Sequence, residues 1–304
     1  MTATDYQLAV LVAFLFLAVA LVSGNNLSAC IGTLVGSGIV GKNFAILIGA
    51  IGFVAGLALE GPNMRYTVRS LIPGLNLSLA IEILLVTIFL FAAAKLIRVP
   101  ASLSMSLSGL MIGLSVARGF QISQPFVERL VIAWAAAPFL SILTVFFSIK
   151  VLTRMNPKDI WRRIRIYKIT LLLASFFAAL ALGANTIGLI VTIGGFNAMD
   201  ITIAIVAIFF GTFFLSAGAI KSIGQDVFAL RYSNAMIALF VSTLLVEVAT
   251  FFSIPISSTQ TLASGVFGAG LSYKYRYIAI RPFLVVAASW VMMPSLAFLL
   301  GLIL

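Results

Sequence analysis

Long apolar runs with almost no charge limit what this chain can fold into. Leu8–Val22 and Val131–Ile149 carry no ionisable group, and Leu79–Ala94 carries one, Glu82. Such runs match a hydrocarbon core about 30 Å thick, where every backbone N–H and C=O must be satisfied within the protein, so the chain reads as an all-α integral membrane protein. Spans are predicted near residues 7–23, 43–60, 76–97, 128–151, 166–184, 200–217, 233–253 and 279–303. Broken or re-entrant helices are predicted near 24–40, 100–118, 185–199 and 255–273. The first run is one of many and follows no basic segment, unlike a removable signal peptide.

Charge gives the orientation. The net charge is +11, yet only 9% of residues are charged and they sit between apolar runs, which argues against a nucleic-acid partner. Seven of the nineteen Lys and Arg fall between Lys150 and Lys168, marking that segment as a cytoplasmic connector. With the charge-poor N-terminus outside, an odd number of crossings precedes it, and the second half starts from the opposite side. The chain has no histidine, which excludes Ser-His hydrolysis, H-E-x-x-H zinc sites and imidazole proton relays. Its one cysteine, Cys30, makes no internal disulfide.

A repeat underlies this parity. RVPASLSMSLSGLMIGLS from Arg98 aligns with SIPISSTQTLASGVFGAG from Ser253, pairing Pro100 with Pro255 and Gly113 with Gly268, an offset of 155. FLAVALVSGNNLSACIG from Phe16 aligns with FFAALALGANTIGLIVT from Phe176, pairing Asn25 with Asn185, an offset of 160. Two halves of opposite orientation with the same features in the same order predict an inverted-repeat transporter. The halves are 1–149 and 169–304, joined by the connector 150–168 and folding as one unit.

In such folds the substrate lies near the midplane, where interrupted helices offer their N-termini. Pro100 and Pro255 break the chain and start a helix, because proline lacks an N–H and pushes the preceding residue out of the helical region. Ser102 and Ser106, like Ser257 and Thr261, then lie four apart on one face. With Ser104, Ser258 and Thr259 they form an uncharged hydroxyl cradle for an anion. The same hydroxyls also suit helix packing and bonds to their own carbonyls; recurrence behind a proline in both halves favours a site. Asn25 and Asn185, with Ser28 and Thr33 beside the first, follow about sixteen apolar residues each, where glycines predict an unwound helix. An Asn side chain offers both donors and an acceptor, to a ligand or to the backbone freed by a break.

These residues resemble the inorganic phosphate transporter (PiT) family, whose halves each carry a GANDVAN-like and a PxSTTH-like motif. Ser23-Gly24-Asn25-Asn26-Leu27-Ser28-Ala29 is similar to the first, Pro255-Ile256-Ser257-Ser258-Thr259-Gln260 to the second, and AIKSIGQDVFAL from Ala219 to the family's KTIGKDI segment. The resemblance spans nearly the whole chain, though GANTIGL and VPASLSM are degenerate. It implies a multi-pass carrier of the cell membrane, usually a homodimer, that imports phosphate with sodium or protons; some relatives carry sulfate. It implies no other cofactor and no enzymatic activity. The acid of the first motif is Asn26 in one half and Thr186 in the other, and the histidine of the second is Gln260. The charge on which the family's sodium sites rely near Asn25 and Asn185 is therefore gone.

Glu60, Glu82 and Glu247 are the acidic residues nearest the apolar runs, and Glu82 and Glu247 are the candidates for coupling. Lys221, Asp226, Arg65 and Arg69 can attract an anion or simply face headgroups. A passive anion channel is the second function class. Phosphate differs from sulfate in keeping a proton at neutral pH, so it calls for an acceptor, which Asn25, Asn185 and Gln260 can supply.

Overall fold

Helix satisfies the backbone of an apolar segment from within. The computed structural model of the chain describes residues 3–96, 102–154, 160–216, 232–273 and 280–304, and helices make up nearly all of them. Val99, Pro100, Lys221 and Asp226 lie outside the described residues. The first half runs α1 (Ala3–Gly36), α2 (Lys42–Leu59), a 3-10 turn, short α3 (Met64–Leu71), α4 (Leu77–Leu96), α5 (Leu103–Ala117) and α6 (Gln124–Arg154). The second runs α7 (Ile160–Leu182), a π segment Gly183–Ile187, α8 (Gly188–Gly194), α9 (Ala198–Phe210) with a second π segment Gly211–Leu215, then α10 (Tyr232–Phe251), α11 (Ser258–Tyr273) and α12 (Ile280–Ile303). As predicted, eight helices among the described residues are long and apolar enough to cross a membrane. The α7–α8 rod is the centre of the bundle, with 89% of its apolar window buried.

The element order of the first half recurs in the second, and packing exchanges partners between them. α5 packs on α12 while α11 packs on α6; α2 packs on α7 while α9 packs on α1. All four pairs run parallel. Gly109 sits against Pro294 and Gly113 against Phe298, Gln260 meets Trp134 and Gly268 meets Ile142. Gly52 lies against Ala179 and Gly56 against Leu180, and Phe16 stacks on Phe210 while Gly24 meets Leu215. Since α1 and α2 are consecutive and antiparallel, and the turn 118–123 reverses α5 into α6, the first helices of the two halves point in opposite directions. So do α5 and α11.

One end of the bundle collects α3, the turn 118–123 and the C-terminus. Ser115 Oγ donates to the Leu71 carbonyl at 2.6 Å, the Ser123 N–H to Ser70 at 3.0 Å, and Arg118 to Leu304 at 3.2 Å. The other end carries the end of α6 at Lys150 and the start of α7, with Arg162, Arg165 and Lys168. α5 starts deep in the bundle and runs to the first end, and α11 starts beside it and runs to the second. These are the half-helices expected at 100–118 and 255–273.

Two expected breaks are not breaks. Residues 24–36 continue α1, a helix of 34 residues and about 51 Å that outruns a bilayer core. Its polar side chains bond back to the same helix: Ser28 Oγ to the Asn25 carbonyl at 2.8 Å, Ser37 Oγ to Leu34 at 2.7 Å. Gly and Asn favour a loop where the backbone is free to find other partners; packed against α2, α4 and α9, the segment satisfies its backbone by staying helical. Residues 183–194 also remain helical, but through a π segment, which adds a residue to the turn at Asn185.

Candidate functional site

α10 ends at Phe251 and α11 begins at Ser258, three residues after Pro255, and the link 252–257 between them is not helical. Four consecutive carbonyls in that link are each taken by a side chain from a different element. Thr67 of α3 donates to Ser253 at 2.5 Å, and Asn185 Nδ2 of the π segment to Ile254 at 3.2 Å. Trp134 Nε1 of α6 donates to Pro255 at 2.8 Å, and Ser104 of α5 to Ile256 at 2.9 Å. Ser253 takes φ = 59°, the left-handed region, to make the turn. Irregular backbone survives at membrane depth only when other parts of the protein satisfy it, and these four donors do so.

The Ser104 bond also sets the starts of α5 and α11 against each other. Ser257 caps α11, accepting from the Gln260 N–H at 3.1 Å and pairing with the Thr259 hydroxyl at 2.9 Å. Ser102 stands at the cap of α5, and its hydroxyl and that of Ser106 are buried without a partner among the described residues. Asn185 completes the group: α5 packs on the π segment, and the side chain is fully buried. Its Nδ2 also donates to Thr250 at 2.9 Å. With Nδ2 fixed by two acceptors, Oδ1 is left as an open acceptor. The structure thus brings together Ser102, Ser104, Ser257, Thr259 and Asn185, with Ser258 at the first turn of α11.

The α1 residues are placed differently. Ala29 and Cys30 line a cavity of about 20 Å³ with Ser242, Thr243 and Ser258. Asn25 and Asn26 lie one turn earlier on those faces, half-buried, with Asn25 Nδ2 3.5 Å from Asn26 Oδ1. Ser28 is occupied with its own helix, and the Thr33 hydroxyl has no partner among the described residues. Gln260 turns away from the hydroxyl group: its Nε2 donates to the Trp134 carbonyl at 3.1 Å, and the residue lines an apolar groove between α5, α6 and α12.

The acidic candidates separate. Glu82 is 3.5 Å from Arg118, a partly exposed ion pair at the end of the bundle. Glu247 lies near Glu60 at the end of α2, and its Oε2 is buried without a partner among the described residues. Thr186 is buried beside Asn185. Arg65 holds the Phe196 carbonyl at 3.0 Å and lies 4.9 Å over that ring, joining α3 to the turn before α9. Thr67, Trp134 and Thr250 are site residues that motif reasoning missed. One signal was present: Trp134 and Pro138 recur as Trp290 and Pro294, an offset of 156 that continues the repeat, but apolar residues in an apolar chain offer no contrast.

The family described as the phosphate transporter family matches residues 22–168 and 156–301, together nearly the whole chain. The chain belongs to the phosphate transporter family. A protein of Methanocaldococcus jannaschii provisionally named a phosphate permease is 24% identical over 286 residues, covering 93% of the transporter and 92% of that protein. The sulfate permease CysP of Bacillus subtilis is 26% identical over 274 residues, covering 83% and 73%. A solved structure titled as the sodium-dependent phosphate transporter superposes with a TM-score of 0.84 over 98% of the transporter and 100% of that chain, at 16% identity. That likeness shows the shared fold: an all-helical, multi-pass membrane transporter.

Proposed function

We infer that the transporter is a secondary carrier of inorganic phosphate that binds its substrate where the starts of α5 and α11 meet and exposes it to each side in turn. The observation that carries this reading is the Ser104–Ile256 bond, which points two helix N-termini at one place. Each N-terminus contributes about half a positive charge, so an anion between them relieves their repulsion. The open hydroxyls of Ser102 and Ser106 donate to oxyanion oxygens, and Asn185 Oδ1 accepts the proton that phosphate retains and sulfate lacks. Repeat-related helices of opposite direction, α1 with α7 and α5 with α11, support an inverted repeat over 1–149 and 169–304. The homodimer that the resemblance implies belongs to the same proposal, and sedimentation in detergent tests it.

Coupling is assigned to the Glu60–Glu247 pair. Two carboxylates placed near one another repel, and a proton taken up by one of them relieves that repulsion. The positions that bear the family's acid are neutral here, Asn26 and Thr186, which favours a proton over sodium as the coupled ion.

Uptake of labelled phosphate into proteoliposomes, with unlabelled sulfate as competitor, tests the substrate. Replacing both Ser102 and Ser106 by Ala is expected to lower uptake about tenfold or more, since hydrogen bonds to a charged group are worth about 1.5–3 kcal/mol each. Uptake at the wild-type rate in the double variant, or stronger binding of sulfate than phosphate, would overturn the reading.

A further inference from the structure

Thr250 lies in the last turn of α10, and that helix ends in a defined closure. The Ile254 N–H donates to the Ala249 carbonyl at 2.8 Å and the Ser253 N–H to the Thr250 carbonyl at 2.9 Å, with Ser253 in the left-handed region at φ = 59°. This is the Schellman pattern of a helix C-terminus, and it keeps Ile254 beside the end of α10 instead of letting it trail off with the link. α10 also packs on the π segment, whose widened turn carries Asn185. Asn185 and Thr250 are both fully buried.

Chemistry gives the hydrogen bonds here a fixed direction. The Thr250 hydroxyl donates to the Val246 carbonyl at 2.8 Å. A carbonyl can only accept, so the single hydroxyl proton is used there and Oγ1 faces Asn185 as an acceptor. Asn185 answers with its donor: Nδ2 lies 2.9 Å from Thr250 Oγ1 and 3.2 Å from the Ile254 carbonyl. Both amide protons are then used, and Oδ1, without a partner among the described residues, is the atom left over. Turned over by half a rotation, the amide would set Oδ1 against those two acceptors and leave Nδ2 for the substrate. A donor in that place serves sulfate as well as phosphate, whereas an acceptor serves an oxyanion that carries a proton.

We propose that Thr250 is a specificity-determining positioning residue: by accepting from Asn185 Nδ2 it keeps Oδ1 presented as an acceptor, and so favours tetrahedral oxyanions that retain a proton over those that do not. Thr250 does not touch the substrate and acts through the Asn185 amide alone. The inference rests on the reading that Asn185 Oδ1 meets the substrate at the starts of α5 and α11. Without the Thr250 oxygen the amide is held by the Ile254 carbonyl only, at the longer of its two distances, and turning it over opposes one acceptor instead of two.

Competition among oxyanions tests this. Uptake of labelled phosphate into proteoliposomes of the full chain, at one fixed pH near neutrality, is competed with arsenate, which keeps a proton as phosphate does, and with sulfate and selenate, which do not. The wild type is expected to prefer the protonated pair. Thr250→Val removes the acceptor at nearly constant volume and should lower that preference about fivefold, the worth of one hydrogen bond, through a higher KM for phosphate and arsenate with little change in maximal rate. Thr250→Ser keeps the hydroxyl and should recover the preference. Thr250→Ala provides the same comparison if Thr250→Val does not fold. A wild type that prefers sulfate would overturn the phosphate reading on which the proposal rests. A wild type that prefers phosphate, with the same preference in the variants that lack the hydroxyl or with a loss shared equally by all four anions, would overturn the role of Thr250 alone.

Discussion

Ser253 to Ile256 expose four carbonyls in succession inside an apolar bundle, and each is met by one donor from elsewhere in the chain. A buried carbonyl without a donor costs about 1–3 kcal/mol. Thr67→Val and Trp134→Phe each remove one donor while keeping shape, so each is expected to destabilise the protein by about that amount in detergent unfolding. Because both act on the same link, the double variant should depart from additivity by about 0.5 kcal/mol or more; strict additivity would mean that the link is not a cooperative unit. At Glu247 and Glu60 the expectation concerns pH. Proton-coupled uptake rises as the external pH falls, and Glu247→Gln or Glu60→Gln should flatten that rise. A dependence unchanged in both variants would remove the pair from coupling.

Among elements, each half-helix closely approaches the last helix of the opposite half. Gly113 lies against the Phe298 backbone and Gly268, its repeat counterpart, against Ile142, where a Cβ would enter the neighbouring main chain. Neither neighbour can withdraw, since backbone in a helix moves only with the whole helix. Gly113→Ala and Gly268→Ala should each lower stability by about 1–3 kcal/mol through overpacking. Gly36→Ala, where a Cβ meets nothing within 4 Å, should be near neutral. Comparable melting temperatures for all three would show that the helix pairs are looser than their contacts imply. The π segment at Asn185 belongs to this scale too. It lets one polar side chain reach α10 and the link 252–257 without opening the helix.

For the molecule as a whole, charge and topology agree on orientation. Lys42, Lys150, Arg162, Arg165 and Lys168 gather at the end opposite to α3 and the turn 118–123, where Arg65, Arg69, Arg118 and Arg129 stand; with the basic connector beside it, the end that carries Lys42 and Lys150 is expected to be cytoplasmic. In a Cys30→Ser background, Gln121→Cys should react with a membrane-impermeant maleimide on intact cells, and Lys42→Cys only after permeabilisation. The reverse pattern would invert the assignment and with it the direction of import.

Hydropathy and charge by themselves determined the membrane class, the eight spans and the basic connector, because these depend only on how much apolar chain is available to cross a bilayer. Proline followed by spaced hydroxyls located the break at Pro255, three residues before α11 begins at Ser258, for a similar reason, since the ring removes a donor wherever it stands. What tertiary structure decided was the fate of residues whose local preference is ambiguous. Gly24 and Asn25 remain helical because neighbouring helices pack around that stretch and a continuous helix satisfies its backbone from within. Gln260, placed among the anion ligands by its position in the motif, faces an apolar groove because α6 holds its amide. Glu82 and Glu247 look alike in sequence, yet one pairs with Arg118 at the rim and the other lies near Glu60 with an oxygen buried and without a partner among the described residues. Such partners stand dozens or hundreds of residues apart, and only the crossing of helices from opposite halves selects them.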